Sequence, residues 1–185
     1  DSYRMISSGG AIQRESAYHL HKSAQNMTVD RKWVMDWTKD TLEDFRYMNK
    51  YYTPDPVNTF SLHAATQNST FKYILRDKEL NYLELLNEYM SLSKSVKKGF
   101  YYGEFGDMGR IDKMNDPSRI NDLFPKNLQA MVTAGVQLAT LWQFNGDNNI
   151  FNDDGNMKIF LQEIQKVNNK FKADGLQDTK GMWPT

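Results

Sequence analysis

The chain has 185 residues, 39% hydrophobic and 25% charged, which is enough apolar material for a real core. Its 23 basic and 23 acidic side chains cancel. That argues against a nucleic-acid or anionic-membrane partner, because no excess of Lys and Arg is available to neutralise phosphates. Cysteine is absent, which excludes disulfides and thiolate metal sites, and no apolar run approaches the roughly 20 residues of a membrane helix.

The opening DSYRMISSGG lacks the basic-then-apolar start of a secretory leader and reads as the continuation of something longer. Within it, residues 3–7 (YRMIS) predict a strand, followed by a Ser-Gly-Gly turn. RESAYHLHKSAQ predicts a short helix in the next loop. It holds His19 and His21, an i, i+2 pair that would share a side on a strand but faces different ways on a helix, so neither is read as a metal ligand. DRKWVMDWTKDTLEDFRYMNKYY predicts a long helix opened by Thr28 or Asp30, with Trp33, Trp37, Leu42 and Phe45 on one core-facing side. Asn26 and Asn68 begin glycosylation sequons, a pattern common by chance.

Residues 56–63 (PVNTFSLH) predict the second strand. A helix from near Asp77 follows, with Leu80, Leu83, Leu86 and Met90 in register. Residues 99–104 (GFYYGE) predict the third strand and LFPKNLQAMVTAG the third helix. Residues 136–144 (VQLATLWQF) predict a fourth strand, a continuous apolar run of the buried parallel kind. FNDDGN lacks the EF-hand spacing and reads as a turn and helix cap. NMKIFLQEIQKVNNKF predicts the last helix, with Met157, Phe160, Ile164, Val167 and Phe171 on one stripe. Residues 174–185 read as a surface tail.

This strand–helix alternation, four times over and with no linker, predicts one α/β unit over residues 1–173 with a parallel sheet and right-handed crossovers. A complete (β/α)8 barrel takes about 250 residues, so four units amount to an open sheet or part of a barrel. His63, Glu104 and Trp142 each close an apolar run at the C-terminal end of a strand, which in an α/β barrel is the catalytic face. Glu104, between glycines in FYYGEFG, reads either as a charge in a turn or as a carboxylate presented by a strand; the three aromatics before it favour the strand.

The stretches YRMISSGG, TFSLHAA, YYGEFG and TLWQFNGD together resemble strands five to eight of a family 5 glycoside hydrolase, one of the cellulase-like retaining enzymes built on an eightfold barrel. YYGEFG is similar to the strand-seven motif, whose Glu is the nucleophile. TFSLHAA is similar to strand six, where a His lines the sugar site, and TLWQFNGD to strand eight, whose Trp lies beneath the reacting sugar. The resemblance implies the C-terminal half, four βα units, of a (β/α)8 TIM barrel. It implies that Glu104 is the nucleophile in hydrolysis of a β-linked polysaccharide or oligosaccharide. His63, Trp142, Asn145 and Asp147 would bind substrate, with no cofactor or metal. It further implies a secreted or periplasmic protein whose partners are the glycan and either an N-terminal half-barrel or a second copy of the chain.

Two departures stand beside the resemblance. Ala64 and Ala65 follow His63 where the family has an aromatic and a Tyr. The family's acid/base belongs to an Asn-Glu pair ending strand four, which would precede residue 1; Asn87-Glu88 here lies mid-helix between the core-facing Leu86 and Met90 and is not that pair. The alternative is a non-catalytic or truncated half-barrel that binds sugar or only associates. A nucleotide-binding sheet is disfavoured, because no Gly-rich phosphate loop follows any strand.

Overall fold

The computed structural model describes residues 5–25, 35–64, 70–105, 122–136, 138–141 and 159–174. In chain order its elements are α1 (Ala17–Gln25), α2 (Leu42–Tyr51), β1 (Thr59–His63), β2 (Tyr73–Ile74), β3 (Glu79–Leu80), α3 (Tyr82–Ser95), β4 (Gly99–Phe105), α4 (Phe124–Ala134), β5 (Ala139–Leu141) and α5 (Ile159–Ala173). The chain is a mixed α/β protein. Its central sheet is parallel, in the order β1-β4-β5.

A fourth segment runs along the free side of β1. Ser7 bridges Thr59 and Ala11 bridges His63, both in parallel sense. The Thr59 N–H donates to Ile6 O and the His63 N–H to Gly10 O, each at 3.1 Å. Of the predicted strand over residues 3–7, Tyr3 and Arg4 lie outside the described residues; the rest of this edge is held by two isolated bridges, the second beyond the Ser-Gly-Gly. Regular pairing is broken there because Gly9 has φ +66° and the Gly10 N–H turns to the Ser61 hydroxyl at 2.6 Å.

One face of the sheet is apolar and covered by helices. Phe60, Leu62, Phe100, Tyr102 and Phe105 are all buried. Phe100 stacks on Tyr89 of α3, and Phe105 on Phe124 of α4. Phe45 of α2 meets Tyr89 and Tyr73 edge-on, which ties α2 and the β2–β3 hairpin to the same core. Each such aromatic pair adds roughly 0.5–1.5 kcal/mol to the burial of its rings.

Several boundaries depart from the sequence reading. The helix predicted from Thr28 or Asp30 starts at Leu42, and residues 35–41 are not helical. Thr41 closes a capping box with Asp44 at that point, and the Thr38 N–H is taken up by the Asp36 side chain. Trp37, expected in the core, is 54% exposed and lies under the Arg14 guanidinium; Trp33 lies outside the described residues.

The helix predicted from Asp77 starts at Tyr82, behind an Asn81–Glu84 capping box. Asp77 sits instead at the tip of the β2–β3 hairpin and accepts the Leu42 N–H, while Leu80 is buried as a strand residue. The fourth strand starts later than expected, at Ala139, and is only half-buried, with Leu138 47% exposed and Thr140 exposed. It begins after Gly135 (φ +80°) has ended α4, so Val136 belongs to the helix exit. The later residues of that expected strand, FNDDGN and the 175–185 tail lie outside the described residues.

Candidate functional site

At the C-terminal edge of the sheet, β1 and β4 slip by one residue. Leu62 pairs with Tyr102, but the next partners are His63 and Glu104, so Gly103 is an extra residue on β4. A bulge of this kind re-aims the side chain that follows it. It brings Glu104 level with His63 on the neighbouring strand, with His63 Nδ1 3.1 Å from Glu104 Oε1. The two side chains are 24% and 26% exposed, open enough to meet a ligand and buried enough to be held. The pairing continues one step further, where the Ala64 N–H donates to Glu104 O at 3.1 Å.

The support beneath the pair is polar on one face of the sheet and aromatic on the other. On the polar face, the Tyr101 hydroxyl is 2.9 Å from Thr140 Oγ1, and both groups donate to the Gly103 carbonyl. On the covered face, Tyr102 donates to Ala64 O and accepts from the Tyr82 hydroxyl, each at 3.1 Å. Burial pushes the Tyr102 phenol up to about 12, partly offset by the Tyr82 donor; burial also raises Tyr82. Both hydroxyls are thus fixed as neutral donors.

Of the residues singled out in the sequence, the structure brings His63 and Glu104 together. Trp142, Asn145, Asp147 and Gly106 lie outside the described residues. Glu88 sits on α3, where its carboxylate pairs with Arg46 at 2.7 Å and Lys78 at 3.2 Å. His19 and His21 lie on α1 and go to separate neighbours: Asp40 at 2.8 Å and the Tyr51 ring at 4.6 Å.

Among the described residues, the group most like a metal-ligand set is His19, Asp40 and Asp44, whose ligand atoms lie within 4.8 Å of one another. Its oxygens already have structural work. Asp40 accepts the Tyr18 and His19 N–H groups at the start of α1, and Asp44 accepts from Thr41 at the start of α2.

Sequence reasoning read Gly103 only as a glycine that lets backbone and substrate approach Glu104, not as the bulge residue against His63, and it missed Tyr101 and Thr140. Their roles depend on cross-strand register, and a one-residue bulge leaves no periodic signal in FYYGEFG. No known family model matches the chain, and no curated protein matches it either.

Proposed function

We propose that this chain is the C-terminal half-barrel of a retaining glycoside hydrolase acting on a β-linked polysaccharide or oligosaccharide. The observation that carries the reading is a half-exposed carboxylate, Glu104, held by a histidine at the C-terminal end of a central parallel strand. The four parallel segments lie side by side in chain order, as four consecutive units of an α/β barrel would.

In this reading Glu104 attacks the anomeric carbon through one carboxylate oxygen while His63 holds the other. A carbon–oxygen bond to Glu104 forms as the glycosidic bond breaks. The leaving oxygen takes a proton from a second carboxyl group about 5 Å away. Water, deprotonated by that same group, then hydrolyses the glycosyl ester and frees Glu104. The second carboxyl comes from a segment preceding Asp1 in the completed barrel. Trp142 supplies a ring face for the sugar, and Asn145 and Asp147 contact its hydroxyls.

The test uses the chain joined to the half that completes its barrel. A 2-deoxy-2-fluoro β-glycoside, which traps the ester, should label the peptide carrying Glu104. Glu104→Gln should abolish labelling and lower turnover by roughly three orders of magnitude or more, with folding little changed. A label on another residue, or near-normal turnover in Glu104→Gln, would overturn the assignment. A completed barrel that binds oligosaccharide without cleaving it would favour the non-catalytic half-barrel.

A further inference from the structure

We infer that Gly103 is a positioning residue, the absence of whose side chain forms the slot that holds His63 as a fixed Nδ1–H donor to Glu104. The relevance of this to catalysis rests on the function proposed above; the geometry does not.

The slot is occupied by the imidazole itself. A Cβ at position 103 would lie 2.1 Å from His63 Nε2 and 2.6 Å from Cδ2, distances that real Cβ atoms essentially never keep, and 3.0 Å from Cε1. Neither partner can step aside at constant geometry. His63 is pinned through its own backbone, its N–H on Gly10 O and its carbonyl on the Ile12 N–H. Gly103 is pinned through its carbonyl, which accepts from Thr140 and Tyr101, and the next residue through the Ala64 N–H on Glu104 O. A side chain at 103 must therefore turn the ring, and turning the ring takes Nδ1 away from Glu104.

The same packing selects the tautomer. Nε2 is buried and has no hydrogen-bond partner among the described residues. With the proton on Nε2, a donor would be buried without an acceptor, and the bare Nδ1 lone pair would face a carboxylate oxygen at 3.1 Å. With the proton on Nδ1, the ring donates to Glu104 and leaves only an acceptor unmet, beside the glycine. The imidazole thus presents one fixed donor, and among the described residues it engages only one of the two Glu104 oxygens.

The chain has three histidines, so the imidazole nitrogens can be resolved by NMR with 15N-labelled histidine, the His63 signals being identified by their loss in His63→Ala. We expect the Nδ1–H tautomer for His63 in the parent chain and its loss in Gly103→Ala. Thermal unfolding supplies the second measurement, and it holds even if Gly103→Ala folds poorly. Gly103→Ala should lower the melting temperature in the parent, whereas in a His63→Ala background, where the ring is gone, it should cost much less.

Unchanged His63 signals in Gly103→Ala would overturn the inference. So would an equal penalty in both backgrounds, which would mean that the glycine serves the bulge alone. In the completed enzyme, Gly103→Ala should lower kcat by about tenfold or more with KM little changed. Failure of the parent enzyme to cleave any β-glycan would overturn the function proposed above, while the two measurements on the chain would still decide the role of Gly103.

Discussion

The ammonium of Lys98 lies 2.6 Å from the Thr53 carbonyl and 2.7 Å from that of Val57, and only 15% of the side chain is exposed. These carbonyls belong to the turn by which the chain leaves α2 and enters β1. A largely covered cation with two carbonyl acceptors, and with the exposed Asp55 carboxylate 3.1 Å away, fixes that exit where no glycine does so. Lys98→Met keeps the aliphatic stem and removes the donor, so we expect a loss of about 1.5–3 kcal/mol in urea unfolding. An unchanged midpoint would show that water replaces the ammonium. At the start of the same helix, the Thr41 side chain accepts the Asp44 N–H, one half of the capping box. Thr41→Ala should cost about 1 kcal/mol, read in the same way. Asp44 in that box has its carboxyl lowered; burial raises it, but hydrogen bonds from Thr41, with His19 and Arg76 nearby, more than offset this. Its contribution is therefore present above the ordinary value of 3.8 and fades as the pH falls below it.

Among elements, α3 and β4 are held together by tyrosines, and this gives the fold an alkaline limit. The unfolded chain releases the Tyr102 proton near 10.0, whereas the folded chain retains it to about 12. Between these values the native state binds more protons than the unfolded one, so stability is intact below pH 10 and falls as the pH rises. The slope is up to about 1.4 kcal/mol per pH unit for each such residue. Urea unfolding at pH 9 and pH 11 should show the loss, and Tyr102→Phe should flatten it; equal stabilities at the two pH values would contradict the burial of these phenols. Immediately after α3, Lys97 holds φ +56° in the turn before β4. Lys97→Gly should stabilise the chain by up to about 1 kcal/mol, because glycine takes that conformation without a Cβ clash. A fall in stability would locate an unseen role in the lysine side chain.

The elements also show what a reader of the sequence can and cannot see. The strands at β1 and β4 were legible because buried parallel strands are continuous apolar runs, and α4 because Gly135 closes it. The β2–β3 hairpin was not, since two-residue strands are too short to show a period of two. The start of α2 was misplaced because Trp33 and Trp37 mimic a helical stripe, while the capping box at Thr41 and Asp44 was the stronger signal.

For the molecule as a whole, strand order was legible in outline from the alternation of units. The His63–Glu104 pair was legible only as two strand ends. The glycine bulge that brings them together was not, because it is a relation between strands. The sheet itself is unevenly covered. Its apolar face is packed under helices, whereas Tyr101 is half-buried and Thr140 exposed on the other. Parallel sheets are ordinarily covered on both faces. Among the described residues, β5 pairs on one side alone, and Met5, Ile6 and Leu138 are 40–47% exposed near the two borders. Light scattering at low micromolar concentration should therefore find the isolated chain self-associated; a well-behaved monomer would refute this. In a twofold-paired barrel the two Glu104 residues would stand four strands apart, and we expect little or no glycan hydrolysis from that form.

The sheet order has one more consequence, which concerns time. From the 6–12 segment through β1 and β4 to β5, each strand of the parallel sheet lies beside the sheet strand made before it, with the separate β2–β3 hairpin made between β1 and β4. A chain leaving the ribosome can lay each new strand against a surface that already exists, without waiting for any later segment. The polar pair is completed at residue 104, when β4 aligns with β1, and the last helix arrives on a sheet already paired. Growth in this order keeps an open border at the newest strand throughout synthesis, so the moment of greatest exposure to wrong partners is the pause before the next strand emerges.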